Sequence, residues 1–327
     1  MNLKLPKLTF AIFAPRLHSV GVLVWVTTFA TAAGSVGRVF AEEEAKPQGS
    51  NLVSRAARRV QEEPALSADL RYKVDAFGHE LVGQGSYLQL GHGPEKLLKL
   101  ELKMQVADQL ITRQEICGPQ FYWIRRDSPF AAAALGRVNL RQVRQAAVQQ
   151  PVDGASGTLA SPAELWILLG GLPKLLETLD SHFDFATPRE SELQFASAAG
   201  QGIERLPVLV LRGHWKPKKL RQLLNGDPAK AKIPEQLPAE VELLLGTPDQ
   251  VLPLFPYRIT FLKSTKAAPA GEGSDEALRP LLTMELFNVY RKGDLDPREF
   301  DYNPGEQEVA DLTPGYLQRL GLAPKTR

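Results

Sequence analysis

The chain has 327 residues, of which 39 are basic and 37 acidic, so its net charge of +2 lacks the basic excess of a nucleic-acid-binding domain. Cys117 is the single cysteine, which excludes an internal disulfide bond. A chain of this length buries enough apolar surface to fold without such cross-links.

The first 41 residues have the layout of an export signal. Three basic residues precede the stretch 17–37, which contains no aspartate, glutamate, lysine or arginine. Small residues at the −3 and −1 positions then lead to Glu42. This pattern predicts a signal peptide over 1–41, a linker over 42–50, and a protein that is exported to the periplasm after cleavage. An uncleaved N-terminal anchor is the alternative, because 21 uncharged residues nearly span a bilayer.

The dominant pattern after the leader is an alternation of apolar and polar residues. In 66–76 and again in 98–106, every second residue is apolar and the residues between are polar. Such stretches form strands with one dry face, and long antiparallel strands of this kind build a curved sheet with a broad apolar inner surface. Strands are predicted over 66–77, 80–90, 97–107, 109–117, 120–126, 191–197, 206–215, 255–263, 280–291 and 298–302.

Helices are predicted before and between these strands. Asn51 is a suitable cap for a helix over 51–63, and Ser161-Pro162-Ala163-Glu164 forms a capping box before a leucine-rich stretch. Two glycines and a proline within 170–173 interrupt that stretch, so we expect two short helices joined by a hinge and ending near residue 180. Further helices are predicted over 139–148, 218–224 and 313–320, and irregular structure over 127–138, 149–160 and 227–253.

Four stretches occur in the order that is found in one protein family. They are the helix and first strand at 51–77, the glycine-containing strand 83–88, the turn and aromatic strand 119–124, and the closing stretch 300–311. In this order the chain resembles a divergent member of the LolA/LolB-like superfamily of outer-membrane lipoprotein carriers. It departs from the family at Arg125-Arg126-Asp127, where the family has Tyr-x-Pro after the aromatic strand.

The resemblance implies an α+β fold, mostly antiparallel β, in which a strongly curved half-barrel sheet has helices covering its concave face. It also implies a single domain over 51–327, with a helical lid inserted at about 137–182. We therefore expect an exported carrier or binding protein for lipid, or for the acyl chains of lipoproteins, held in an apolar cavity. The alternative is a non-catalytic interaction or structural module whose helices fill the sheet permanently, because an ordinary core presents the same apolar face.

The alternation along the strands predicts which residues line the cavity. They are Leu70, Tyr72, Val74, Leu100, Leu102, Met104, Phe255, Tyr257, Ile259 and Phe261. The lid would cover them with Leu165, Trp166, Leu168, Leu169 and Leu172. The expected partners are a lipid or an acylated lipoprotein, together with a membrane-bound donor or acceptor, and the oligomeric state stays open.

No catalytic or metal-binding motif accompanies this pattern. The five histidines do not occur at a metal-ligand spacing such as HExxH, and the sequence has no phosphate-binding glycine loop. Without residues 1–41 the chain has 35 basic and 37 acidic residues, and this net charge of −2 disfavours nucleic acid as a partner. We therefore expect that the protein is not an enzyme and that it needs no metal or other cofactor.

Overall fold

A computed structural model describes residues 48–76, 79–106, 108–129, 131–149, 162–196, 203–224, 237–265 and 277–322. The predicted signal peptide over 1–41 lies outside these residues. None of the helices in the described ranges is long and apolar enough to cross a membrane.

The described residues contain thirteen strands, which are β1 (Ala65–Ala76), β2 (His79–Leu90), β3 (Leu97–Val106), β4 (Gln109–Cys117), β5 (Phe121–Ser128), β6 (Ala131–Asn139), β7 (Phe183–Phe185), β8 (Arg189–Ala196), β9 (Ile203–Trp215), β10 (Glu240–Gly246), β11 (Pro256–Thr265), β12 (Ala277–Tyr290) and β13 (Ala310–Asp311). They form one sheet in the order β13-β6-β5-β4-β3-β2-β1-β12-β11-β10-β9-β7, and β8 pairs with β9 off this path. Every pairing is antiparallel except that of β13 with β6.

Two glycines on β2 allow this sheet to curl. Gly83 and Gly85 lie opposite Tyr72 and Leu70 of β1, on the face that carries the core. At Gly85 a β-carbon would lie 1.8 Å from the backbone oxygen of Glu101, so β2 and β3 approach too closely there for any side chain. The absence of side chains at these positions lets the strands coil around their apolar face.

The concave face is covered by helices at one end. The helices are α1 (Gln48–Glu62), α2 (Leu140–Gln149), α3 (Pro162–Leu169), α4 (Leu172–His182), α5 (Pro217–Leu224) and α6 (Thr313–Arg319). α1 packs against α4, and α3 packs against α4 and against β3 and β4. Their buried apolar residues join those of the strands in one large cluster, the main core. The predicted α+β class, mostly antiparallel with a curved sheet and helices on its concave face, is therefore confirmed.

Two of the predicted irregular segments contain strands. β6 begins with four consecutive alanines, which give no alternation to detect. In β10, Val241, Leu243 and Leu245 belong to the main core, while Leu244 belongs to a second cluster on the convex face. Glu240 and Glu242 alternate with Val241 and Leu243, but Leu244 and Leu245 are both apolar and buried, so the alternation covers only four residues. The prediction of irregular structure over 127–138 and 240–246 is therefore wrong.

The predicted strand over 298–302 is also wrong. Residues Pro297–Phe300 form a short 3-10 helix instead. The Asp296 side chain accepts a hydrogen bond from the backbone N–H of Arg298 (2.9 Å), which starts the helical turn. Proline in the first position of a helix, preceded by aspartate, is a common helix start that apolar alternation alone does not reveal.

Candidate functional site

Six of the predicted cavity residues share one face of the central strands. Leu70 of β1 lies opposite Gly85, which in turn lies opposite Leu102 of β3. Residues directly opposite each other in an antiparallel pair lie on the same face, and successive residues alternate between faces. The register therefore places together on the concave face Leu70, Tyr72, Val74, Leu100, Leu102 and Met104.

Two of the predicted residues of β11 extend this face. Ile259 lies opposite Met284 of β12, which in turn lies opposite Tyr72 of β1. Phe261 lies opposite Leu282 of β12, which in turn lies opposite Val74 of β1. Phe255 precedes β11 and is buried in the main core. The concave face is therefore continuous from β3 across β1 and β12 to β11.

Tyr257 does not follow the predicted alternation. The register between β10 and β11 shifts at this point, because Pro256 and Arg258 pair with consecutive residues of β10 and Tyr257 is passed over. The Tyr257 ring packs against the main core and also against the convex-face cluster, which consists of Leu193, Val208, Val210 and Leu244. A bulge of this kind changes the face of a side chain without any signal in the alternation.

Burial decreases along the concave face from one end of the strands to the other. Leu98 and Leu100 of β3 are fully buried, whereas Leu102 and Met104 further along the strand are half-buried. We call the buried part the closed end and the half-buried part the open end. The inward apolar residues of the open end are Tyr72, Val74, Leu81, Leu102, Met104, Ile111, Phe261 and Leu282.

Hydrogen bonds attach the helices to the closed end. The Tyr87 hydroxyl donates to the side-chain oxygen of Gln89 (3.0 Å) and accepts from the backbone N–H of Leu172 (3.3 Å). The Gln89 side-chain amide donates to the backbone oxygens of Val60 (3.1 Å) and Glu63 (3.0 Å). Burial raises the pKa of Tyr87, so its hydroxyl stays neutral and keeps its hydrogen. This pair therefore ties β2 both to α1 and to the start of α4.

The predicted lid residues lie over the closed end. Trp166 stacks on Tyr87, with ring centroids 5.4 Å apart. Gly170 and Gly171 separate α3 from α4 and have φ angles of +129° and +80°, which side-chain-bearing residues rarely adopt. Four of the predicted lid residues are buried, namely Leu165, Trp166, Leu168 and Leu172, whereas Leu169 is 41% exposed.

A polar cluster that the sequence analysis missed lies on the same face. Arg113 and Glu115 of β4 form an ion pair, and the Tyr122 hydroxyl of β5 donates a hydrogen bond to Glu115. Burial raises the pKa of Tyr122, and the Glu115 carboxylate raises it further. Burial disfavours the charge of Arg113, but the adjacent carboxylate more than offsets this and raises the pKa of the guanidinium. The pair is therefore a stable charged group within an apolar surface.

The sequence did contain a signal for this cluster. Ile111, Arg113, Glu115 and Cys117 occupy alternate positions of β4, and all of them lie opposite inward residues of β3. A pair of opposite charges flanked at the same spacing by two apolar residues indicates inward-facing charges. Cys117 itself is buried, and burial raises its pKa to about 12, so the thiol is neutral near neutral pH.

Two further features of the described residues concern metal ions and surface grooves. Within the described ranges, no group of three or more histidine, cysteine, aspartate or glutamate side chains could hold a metal ion. One surface groove lies between β8 and the convex face, near Phe195 and Arg258, and another lies along β6, near Ala133 and Glu308. Neither of these two grooves lies at the open end.

Comparison with known proteins gives structural neighbours but no sequence relatives. No protein-family model matches the chain, and no curated protein matches it. Among solved structures, it is similar to a DUF1329 family protein from Desulfovibrio piger, with 10% identity, a TM-score of 0.32, and 78% of this chain and 96% of that chain covered. It is also similar to MucB, with 12% identity, a TM-score of 0.35, and 78% and 62% of the two chains covered.

A third neighbour is an outer membrane lipoprotein-sorting protein domain from Vibrio parahaemolyticus. It has 12% identity and a TM-score of 0.28, and the match covers 77% of this chain and 96% of that chain. A lipoprotein-sorting domain is therefore among the structural neighbours of this chain. Because TM-scores of this size do not describe closely superposable structures, the assignment of the fold rests on the strand order and register given above.

Proposed function

We propose that this chain is an exported, periplasmic carrier or binding protein that holds acyl chains at the open end of its sheet. The observation that supports this most is the group of half-buried apolar residues along the concave face, from Ile111 to Phe261 across six strands. Apolar surface that stays accessible in a concave position is typical of a ligand site. The predicted export signal over 1–41 would place the protein where lipids and lipoproteins cross the envelope.

The driving force for such binding would be the removal of acyl chains from water. Each methylene that becomes buried contributes about 0.8 kcal/mol, so one long chain contributes up to about 10 kcal/mol before costs. The costs are the lost freedom of the ligand and any movement of the protein that binding requires. A trough of modest depth is therefore sufficient for useful affinity, provided that most of one chain fits into it.

In this proposal α3 is the movable part of the lid and α4 is its fixed support. α4 is held by the hydrogen bond between Leu172 and Tyr87, and Ser54 of α1 donates a further one to Asp180 (2.8 Å). α3 is joined to α4 through Gly170 and Gly171, whose backbone tolerates large changes. Movement of α3 alone would lengthen the trough toward Leu100 without disturbing α4.

A second candidate function is a non-catalytic interaction or structural module of the envelope. The observation that favours it is the tight fit of both helices at the closed end, where Trp166, Leu172 and Leu176 are almost completely buried. In that case α3 stays in place and the open end contacts a protein partner. The two candidates differ in one measurable property, which is the binding of free acyl chains.

The experiment is a titration of the purified protein with a fluorescent fatty-acyl probe. We expect saturable binding by the natural protein and loss of binding in Met104→Glu, because that change puts a charge into the trough. Val82→Glu is the matched control, since Val82 is 46% exposed on the convex face of the same end of the sheet and should tolerate a charge. Circular dichroism of both variants checks that they are folded. An absence of probe binding by the natural protein would favour the structural module instead.

A further inference from the structure

The inward face of the sheet carries Tyr72, Tyr87 and Tyr122, whose hydroxyl groups use different acceptors. The hydroxyls of Tyr87 and Tyr122 each donate a hydrogen bond to a side-chain oxygen. The Tyr72 hydroxyl instead donates to the sulfur of Met284 (2.9 Å), the residue directly opposite it on β12. Because a thioether sulfur is a weak acceptor, this hydroxyl makes the poorest hydrogen bond of the three.

The carboxylate of Glu115 lies near Tyr72 but is occupied. One of its oxygens accepts a hydrogen bond from Arg113, and the other accepts one from the Tyr122 hydroxyl. Burial raises the pKa of Tyr72, and the charge of Glu115 raises it further, while the charge of Arg113 acts to lower it. The Tyr72 hydroxyl therefore stays neutral and keeps its hydrogen. It is a donor that a better acceptor than sulfur could engage.

The side chain of Tyr72 is only partly covered by its neighbours. Met284 lies beside it on β12, whereas its partner on β2 is Gly83, which adds no side chain to the inward face. Met104 of β3 lies opposite Gly83, one strand further away. Tyr72 and Met104 are both half-buried, so part of each side chain reaches solvent within the open end. A ligand that lies along the open end would therefore contact the Tyr72 side chain.

We infer that the open end binds the ester group of an acylated lipid, with the Tyr72 hydroxyl donating a hydrogen bond to the ester carbonyl oxygen and the acyl chain lying along Val74 and Met104. This inference rests on the proposed function, because it specifies the ligand of the same surface. The carbonyl oxygen replaces the sulfur of Met284 as the acceptor and makes a stronger hydrogen bond. An ester fits better than an amide, because an amide would also bring an N–H donor that an apolar surface leaves unpaired.

The experiment compares two lysophosphatidylcholines that have the same head group, one with a dodecanoyl ester and the other with a dodecyl ether. Each is used, below its aggregation limit, to displace the fluorescent fatty-acyl probe from the full mature chain. The ester has a carbonyl oxygen that the ether lacks, so a change in the ratio of the two affinities between protein variants reports on that oxygen. We expect the ratio to favour the ester about fivefold more in the natural protein than in Tyr72→Phe, which is the effect of one net hydrogen bond.

Three variants separate the hydrogen bond from the packing of the acyl chain. Tyr72→Phe removes only the hydroxyl, so the affinity for the ether should stay unchanged while the affinity for the ester falls. Tyr290→Phe is the matched control, because Tyr290 is an exposed tyrosine at the other end of β12, and it should keep the natural ratio. Met284→Leu removes the competing sulfur, so it should keep the ratio or raise it.

The outcomes distinguish this inference from the proposed function. The same ratio in Tyr72→Phe as in the natural protein, or a loss of the ester preference in Met284→Leu, would overturn the inference and leave the carrier function standing. Failure of the natural protein to bind the fatty-acyl probe and both lysophosphatidylcholines would overturn both.

Discussion

The division of the concave face into a closed and an open end can be tested with two identical substitutions on one strand. Leu100 and Leu102 are both inward residues of β3, two positions apart, and they differ mainly in burial. Leu100 is 2% exposed within the main core, whereas Leu102 is half-buried at the start of the open end. The comparison therefore keeps the residue type, the strand and the face constant.

The expected costs follow from what each truncation removes. Leu100→Ala deletes about three buried carbon atoms and leaves a cavity beneath the helices, so we expect a loss of about 3 kcal/mol in the free energy of unfolding. Leu102→Ala loses only part of that transfer energy, and water or neighbouring side chains fill the space, so we expect about 1 kcal/mol. The difference of about 2 kcal/mol exceeds the usual error of such measurements.

Urea denaturation, followed by far-ultraviolet circular dichroism, measures both costs. The slope of the free energy against urea concentration should be the same in both variants, which shows that the comparison is valid. Equal costs at the two positions, or a larger cost at Leu102, would show that the helices fill the whole concave face and that no open end exists in solution. In that case the structural module becomes the better description of the protein.

Two further predictions concern the sheet and a buried lysine. Gly85→Ala should destabilise the protein by roughly 1–3 kcal/mol, because the added carbon meets the Glu101 backbone. Thermal unfolding measures the effect. Gly118→Ala is the control, since the nearest atom to its added carbon is 3.6 Å away. Lys96 is buried and donates a hydrogen bond to Gln61, and burial lowers the pKa of Lys96 to about 8. Between about pH 8 and the ordinary pKa of lysine, the unfolded chain therefore binds more protons than the folded protein. The free energy of unfolding consequently rises with pH in this range. The melting temperature of the natural protein, relative to that of Lys96→Met, should therefore rise between about pH 8 and 9.5. A difference that stays constant with pH would contradict the lowered pKa of Lys96.

The central strands could be predicted from the sequence because their two faces have different surroundings. β1 and β3 have one face in the core and one in water, so the apolar and polar residues alternate and the register follows. β10 was missed because its alternation covers only residues 240–243 before consecutive leucines follow, and β6 because its alanines carry no contrast. Tyr257 packs against both the main core and the convex-face cluster, because the register shifts at a bulge that depends on the partner strand β10.

The candidate site was predictable in part for the same reason. Its apolar residues follow from alternation, but the distinction between the closed and the open end depends on how far the helices extend over the sheet. That extent is a property of tertiary packing, which no strand pattern contains.

The two ends of the sheet separate the part of the protein that maintains the fold from the part that could change with its ligand. The strands β1 to β4 run continuously from the core into the open end, where the hairpin arms β1–β2 and β3–β4 reach their last pairs, Ala76 with His79 and Val106 with Gln109. Each residue added to both arms of such a hairpin would extend the trough by about 3.3 Å and leave every contact of α1 and α4 in place. The length of acyl chain that such a sheet accommodates could therefore change by insertions at its tips, at little cost to folding.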